Sequence, residues 1–404
     1  MTLHDYQVLQ RDPDGKARVT LSDGSLQELE TGGPYEIDGA REIYVGDLWI
    51  LAGQSNMEGC GDLVDLEEPS PYVHLFGMNE EWSVAEEPLH WLSDSPRDVH
   101  FQLWGLPGAP AVRPPHDPNR VKGSGLGLKF AKACHAATGV PIGLIAAAHG
   151  GTSMTQWNPD LKDLAGGSLY GATRERFKAV GGKVAGILWY QGESDTGPDD
   201  YPLFQERFHK LVQAFRDDLG QPDLPFYYVQ LGRFTVPDDK EAVDGWNAAR
   251  EAQRLFAGTL PNTDVVAAID LGLDDGIHIG TSGLKKLGER LCRVATGYGA
   301  PALESITLEH NPQRLRIAFS HVHGALTSAG RPAGFSFRNA DGLEPHRPYK
   351  IALDGNAVLL YFDANPIPEN VSVFYGWGLD PYCNIVDSAD MPIPTFGPVP
   401  FPTE

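Results

Sequence analysis

The sequence predicts an α/β fold: a three-layer α/β/α domain with a central parallel sheet, joined to an accessory all-β, sandwich-like module. Three observations predict it. Between residue 46 and about residue 300, short apolar runs alternate with amphipathic helical stretches, the pattern of a parallel sheet covered by helices on both faces. From about 301 the pattern changes to short strands separated by turn signals, as in a sandwich or barrel. The 404 residues, 41% hydrophobic and 21% charged, are enough for two or three domains with cores of their own.

In chain order, residues 1–45 read as β. Tyr6–Gln10 and Ala17–Leu21 flank the turn Asp12-Pro13-Asp14-Gly15, and Asp38-Gly39 marks another turn. This segment is too short to bury a core alone, so it is expected to pair into the C-terminal β module. The expected strands of the central domain (46–300) are Leu48–Ala52, Ile142–Ala148, Val184–Tyr190, Phe226–Leu231 and Val265–Leu271. Between them lie helical stripes. Phe204, Phe208, Leu211, Phe215 and Leu219 share one face. Leu126, Phe130, Cys134 and Ala137 form another, closed by Gly139, and a third helix follows Thr281 and Ser282 and stops near Gly297.

Residues 62–122 fit no periodic element. This proline-rich stretch carries Trp82, Trp91 and Trp104, and a loop of that length is usually functional or a linker. In the C-terminal module (301–404), strands are expected at Ser305–His310, Leu315–Phe319, Gly334–Phe337, Tyr349–Leu353, Ala357–Phe362 and Ser372–Trp377. Asp354-Gly355 is a hairpin turn between two of them.

Charge and cysteine usage exclude several classes. The formal net charge is -22, which argues against nucleic acid and anionic membranes as partners. Cys60, Cys134, Cys292 and Cys383 are scattered without the spacing of a thiolate metal site. The N-terminus has neither the basic nor the apolar region of a signal peptide, and no stretch approaches the roughly 20 apolar residues that span a bilayer. A cytoplasmic protein is the expectation.

Four strand ends carry chemistry, and all four are expected on one rim of the sheet. They are Ser55, His149-Gly150-Gly151-Thr152, Gln191-Gly192-Glu193-Ser194-Asp195 and Asp275-Gly276-Ile277-His278. Acyl transfer needs what they offer. A serine hydroxyl requires a base, which His278 can be. The imidazole requires a carboxylate to fix its tautomer, and Asp275 lies three residues before it. An oxyanion requires close N–H donors, which Gly150 and Gly151 can present and to which the Gln191 amide can add. In extended chain, Glu193 points to the same side as Gln191 and can also reach the site.

Gly53-Gln54-Ser55-Asn56-Met57, Gly150-Gly151-Thr152, Trp189-Tyr190-Gln191-Gly192-Glu193-Ser194 and Asp275-x-x-His278 together resemble the sialate O-acetylesterase family of SGNH (GDSL-like) hydrolases. They are also similar to carbohydrate esterases that include acetylxylan esterases. The flanking β segments resemble bacterial members with an added β module. The Gly-x-Ser-x-Gly elbow of α/β-hydrolases is absent, since Met57 replaces the last glycine.

The resemblance implies Ser55 as nucleophile, His278 as base, and an oxyanion hole of the Ser55 and Gly151 amides with the Gln191 side chain. For the orienting acid it offers both Asp275 and Glu193, of which Asp275 is favoured and Glu193 is the rival. It implies an O-acetylated carbohydrate as substrate, sialate or neutral xylan-type. Gln54 and Trp157, the latter six residues after Gly151, are candidate substrate contacts. Arg97, Arg113 and Arg120 are the cations available for a sugar carboxylate. No metal or organic cofactor is implied. The alternative is a non-catalytic carbohydrate-binding protein on a degenerate hydrolase fold, against which the complete set of Ser55, His278, Asp275 and Gln191 speaks.

Overall fold

The computed structural model describes residues 2–237, 239–363 and 370–402. Its first strands are β1 (Val8–Gln10), the hairpin β2 (Lys16–Thr20) and β3 (Leu26–Glu30), then β4 (Gly32–Ile37) and the long β5 (Ala40–Gly53). The central domain adds β6 (Gly61–Asp62), β7 (Val73–Phe76), β8 (Trp82–Val84), β9 (Lys122–Ser124), β10 (Ile142–Ala146), β11 (Gly186–Tyr190), β12 (Phe226–Gln230) and β13 (Thr263–Ala267). Its helices are α1 (Ser55–Glu58), α2 (Asp98–Gln102), α3 (Gly127–Thr138), α4 (Leu169–Ala179), α5 (Phe204–Asp218), α6 (Lys240–Phe256) and α7 (Thr281–Ala295).

The sheet runs β13-β12-β11-β5-β10-β7-β8, parallel except for β8. Side chains along β5 alternate between two cores, as the twofold strand repeat requires. Trp49 and Leu51 pack on the face covered by α3 and α7, with Phe130, Leu284 and Leu291. Leu48, Ile50 and Ala52 pack on the opposite face with Tyr170 of α4 and the predicted α5 stripe of Phe204, Phe208, Leu211 and Phe215. The three layers follow from that alternation. Among the described residues no helix is long and apolar enough to cross a membrane.

Two expectations need correction. The N-terminal strands do not join the C-terminal module. β1 pairs in parallel with the first half of β5, β4 pairs with it antiparallel, and β2 pairs with β3 over a small core of Leu9, Val19, Leu29 and Ile43. The first half of β5, which extends beyond its partners β10 and β11, is the nearer template. Segment 62–122 is not wholly irregular either: Val73-His74-Leu75-Phe76 is a fully buried strand paired with β10. A strand of four residues, set between Pro71 and Gly77, is too short to display a period.

The C-terminal module contains β14 (Ala302–His310), β15 (Gln313–Ser320), β16 (Leu326–Ser328), β17 (Phe335–Arg338), β18 (Lys350–Asp354), β19 (Ala357–Tyr361), β20 (Ser372–Tyr375), β21 (Ile385–Asp387) and β22 (Phe396–Pro400). The sheets β14-β15-β19-β18 and β17-β20-β22 enclose one core that includes Ile317, Phe319, Leu360, Phe337, Val373 and Phe396. The Asp354-Gly355 hairpin forms as expected, with Asp354 opposite Ala357. Buried side chains fasten this module to the central domain. Arg250 of α6 donates to the carbonyls of Gly376 and Gly378, and Gln230 exchanges hydrogen bonds with the Thr395 backbone.

Candidate active site

β5 ends in close contact with the β11 backbone. A Cβ at Gly53 would stand 2.2 Å from the Tyr190 carbonyl oxygen, and φ there is +131°, so only glycine fits. The Gln54 amide then donates to that same carbonyl (2.8 Å), and the chain turns directly into α1, with Ser55 as its first residue. Neighbouring strands β10 and β11 bring their own ends beside it. The His149 amide donates to the Gly53 carbonyl at 3.1 Å.

His278 arrives from beyond β13. Leu273 and Ile279 bridge, and between them Asp275 Oδ1 accepts the Ile277 and His278 amides at 3.0 and 2.9 Å. That local turn is the physical reason for the three-residue spacing, since it leaves Asp275 Oδ2 free to meet His278 Nδ1 at 2.8 Å. His278 Nε2 lies 3.0 Å from Ser55 Oγ. Partial burial acts to raise the Asp275 carboxyl. The Ile277 and His278 amides, the imidazole and Lys122 outweigh it and hold the group well below the usual carboxylate range.

Glu193 does not hydrogen-bond to His278. Its Oε1 accepts from Asn56 Nδ2 (2.8 Å), and Asn56 Oδ1 accepts the Ile279 amide (2.9 Å). Glu193 thus acts on the histidine loop through Asn56, and burial pushes its carboxyl up. Of the two candidate acids, only Asp275 touches the imidazole.

The expected oxyanion donors divide. The backbone amides of Ser55 and Gly151 have no hydrogen-bond acceptor among the described residues. The Gly150 amide is taken by Glu58 Oε2 at 2.7 Å, so it cannot serve. Gln191 is fully buried, and its amide nitrogen is spent on the Thr152 carbonyl (3.0 Å) and on Asp195. The strand alternation that placed Gln191 beside Glu193 ends at Gly192, whose φ of +147° breaks the extended run.

Gln54 and Trp157 are likewise interior. The Gln54 amide nitrogen faces Glu193 Oε2 (3.3 Å) and the Thr152 carbonyl (3.1 Å). Trp157 has no exposed surface; it packs edge-on against Trp189 and donates to Thr152 Oγ1 at 3.0 Å. Thr152 Oγ1 in turn donates to the His149 carbonyl (2.7 Å). Asp195 accepts the Met154 amide. Together these side chains brace the 149–154 loop from within.

The sequence left five residues without a role: Asn56, Glu58, Lys122 and the buried pair His100–His149, whose Nδ1 atoms lie 2.9 Å apart. Asn56 and Glu58 had a signal in their spacing from Ser55; Lys122 had none, because its partner lies 153 residues away. In segment 62–122, Trp91 stacks on His116 (3.7 Å) with Arg120 over its ring, while Trp104 is half-exposed against His149. Arg97 forks onto Glu80 (2.6 and 2.7 Å) and also holds Glu175. Arg113 donates to the Asn79 carbonyl.

A serine hydroxyl, an imidazole and a carboxylate in one hydrogen-bonded line, at the carboxyl edge of a parallel sheet, is the arrangement of an ester hydrolase. The chain belongs to the family described as carbohydrate esterase, sialic acid-specific acetylesterase, which matches residues 45–296. It is a carboxylic ester hydrolase of the carbohydrate acetylesterase type. It is 28% identical to a probable carbohydrate esterase of Arabidopsis thaliana over 61% of this chain and 88% of that protein. It is 24% identical to the sialate O-acetylesterase of Homo sapiens over 61% of this chain, and spans 54% of that protein's length. A carbohydrate acetylesterase from Xanthomonas citri has a similar structure, with a TM-score of 0.70 and 25% identity over 98% of this chain and 97% of that one. That likeness includes the N-terminal strands and the C-terminal module.

Proposed function

We propose that this protein is a serine esterase that removes acetyl groups from a carbohydrate through an acetyl-Ser55 intermediate. The observation that carries the reading is the line Ser55 Oγ–His278 Nε2–His278 Nδ1–Asp275 Oδ2, with contacts of 3.0 and 2.8 Å. His278 Nε2 takes the Ser55 proton as Oγ attacks the acetyl carbonyl carbon. The negative charge that forms on the carbonyl oxygen is met by the Ser55 and Gly151 amides; one such donor is typically worth about 10²–10³ in rate. The protonated imidazole then gives its proton to the departing sugar oxygen. Water, deprotonated by His278, attacks the acetyl-serine, acetate leaves, and Oγ recovers its proton. Asp275 stays ionised throughout, fixing the tautomer and balancing the imidazolium.

The substrate we favour is a neutral acetylated glycan of the xylo-oligosaccharide type. Two observations support it: the net charge of -22, and the engagement of Arg97 by Glu80 and Glu175, which removes a cation that a sugar carboxylate could use. Acetate release from acetylated xylo-oligosaccharide and from O-acetylated sialic acid, with an activated aryl acetate as control, tests the choice. Faster turnover of the sialate ester would reverse it. Sugar binding with no turnover of any of the three would favour a binding protein. Ser55→Ala is expected to lose about 10⁶-fold in kcat; a loss below about tenfold would remove Ser55 from the mechanism.

A further inference from the structure

Glu58 is an acid beside the nucleophile that the acyl-transfer scheme leaves unused. It stands three residues after Ser55 in α1, and its side chain turns inward to the oxyanion loop. Glu58 Oε2 accepts the Gly150 N–H at 2.7 Å. Gly150 itself lies against the nucleophile: a Cβ there would stand 3.1 Å from Glu58 Oε2 and 3.4 Å from Ser55 Cβ. The next amide, Gly151, is one of the two left free for an oxyanion. It sits in a left-handed turn (φ +68°), so its direction depends on how the preceding residue is held.

We propose that Glu58 is a positioning residue that works in its protonated form: its carboxyl oxygen holds the Gly150 amide so that the Gly151 N–H faces the developing oxyanion, and its ionisation sets a negative charge beside that oxyanion and slows the reaction. The inference rests on the reading of Ser55 as the acylated nucleophile. Burial pushes the Glu58 carboxyl up to about 7, against the Gly150 amide and the Arg120 guanidinium, which favour the carboxylate. The other titratable neighbours are Cys60, whose thiol burial and then the Glu58 charge push up, and His90, kept neutral by burial beside the Glu58 and Leu51 carbonyls. The sign follows. Glu58 is protonated below about pH 7 and ionised above it, so its titration lowers activity on the alkaline side.

The test is the pH profile of kcat and KM for an activated aryl acetate in wild type, Glu58→Ala and Glu58→Gln, with Ser55→Ala alongside. Glu58→Ala is expected to lower kcat by at least about tenfold with little change in KM, the sign of an interaction made in the transition state. Glu58→Gln, uncharged but still an acceptor, is expected to recover most of that loss and to lack the alkaline fall. Persistence of the alkaline fall in Glu58→Gln overturns the proposal, as does wild-type kcat in Glu58→Ala. If Glu58→Ala does not fold, the Glu58→Gln profile decides alone. Activity in Ser55→Ala would overturn the parent reading and this proposal together; an inactive Ser55→Ala with the alkaline fall intact in Glu58→Gln overturns only this one.

Discussion

Lys122 Nζ lies 3.2 Å from Asp275 Oδ2, the same oxygen that meets His278 Nδ1. Lys122 opens β9, at the end of the proline- and tryptophan-rich segment, and also holds Asp62 at 3.0 Å and the Asp274 carbonyl at 3.2 Å. The long segment is therefore wired to the acid of the proposed triad. A cation here shares the charge of Asp275 and opposes formation of the imidazolium.

Lys122→Met removes that cation. The imidazolium is then favoured, and the acid limb of the kcat/KM profile is expected to move to higher pH. Both side chains are about one-third exposed, at 34% and 36%, so solvent screens the effect. The displacement is expected to shrink as salt is added. A lower rate with the limb unmoved would assign Lys122 to loop structure alone.

Asp275 and Glu193 are separated by their contacts. Asp275→Asn is expected to lose about 10⁴-fold in kcat, because the amide cannot enforce the tautomer. Glu193→Gln disturbs Asn56 and, through it, the Ile279 backbone; a small displacement of His278 costs about 10- to 100-fold. The two kcat values, measured on one substrate, rank the residues. A larger loss in Glu193→Gln would give Glu193 the orienting role.

Trp157→Phe tests whether that ring supports the loop or meets the sugar. It deletes the bond to Thr152 Oγ1 and leaves a gap beside Trp189. A stability loss of about 1–3 kcal/mol in denaturant unfolding is expected, with a fall in kcat and little change in KM. Unchanged stability with a raised KM would put Trp157 in contact with substrate.

What could be read from the sequence was what local chain geometry decides. Ser55 and His149-Gly150-Gly151 follow apolar runs that could only be strands of this sheet, and the Asp275–His278 spacing closes its own turn. The three-layer arrangement was legible for the same reason, since β5 shows the continuous apolar run of a strand buried on both faces and α5 displays its helical period. Side-chain direction past a strand end was not legible. Gln191, Gln54 and Trp157 were expected in the site, yet each is drawn inward to the Thr152 region, because buried amide and indole N–H groups must find acceptors. The N-terminal pairing failed similarly. The Asp12–Gly15 turn correctly separates β1 from β2, but β1 takes its partner from β5, and no local signal encodes a distant partner.

The central claim is that Ser55 carries the acetyl group. Rapid-quench mass spectrometry of the Ser55 peptide during turnover of an activated aryl acetate tests it most directly. The expected result is one acetyl group on that peptide, decaying on chase at the rate of acetate release and missing in Ser55→Ala. Acetate release at full rate with the Ser55 peptide unmodified, and turnover retained in Ser55→Ala, would contradict it.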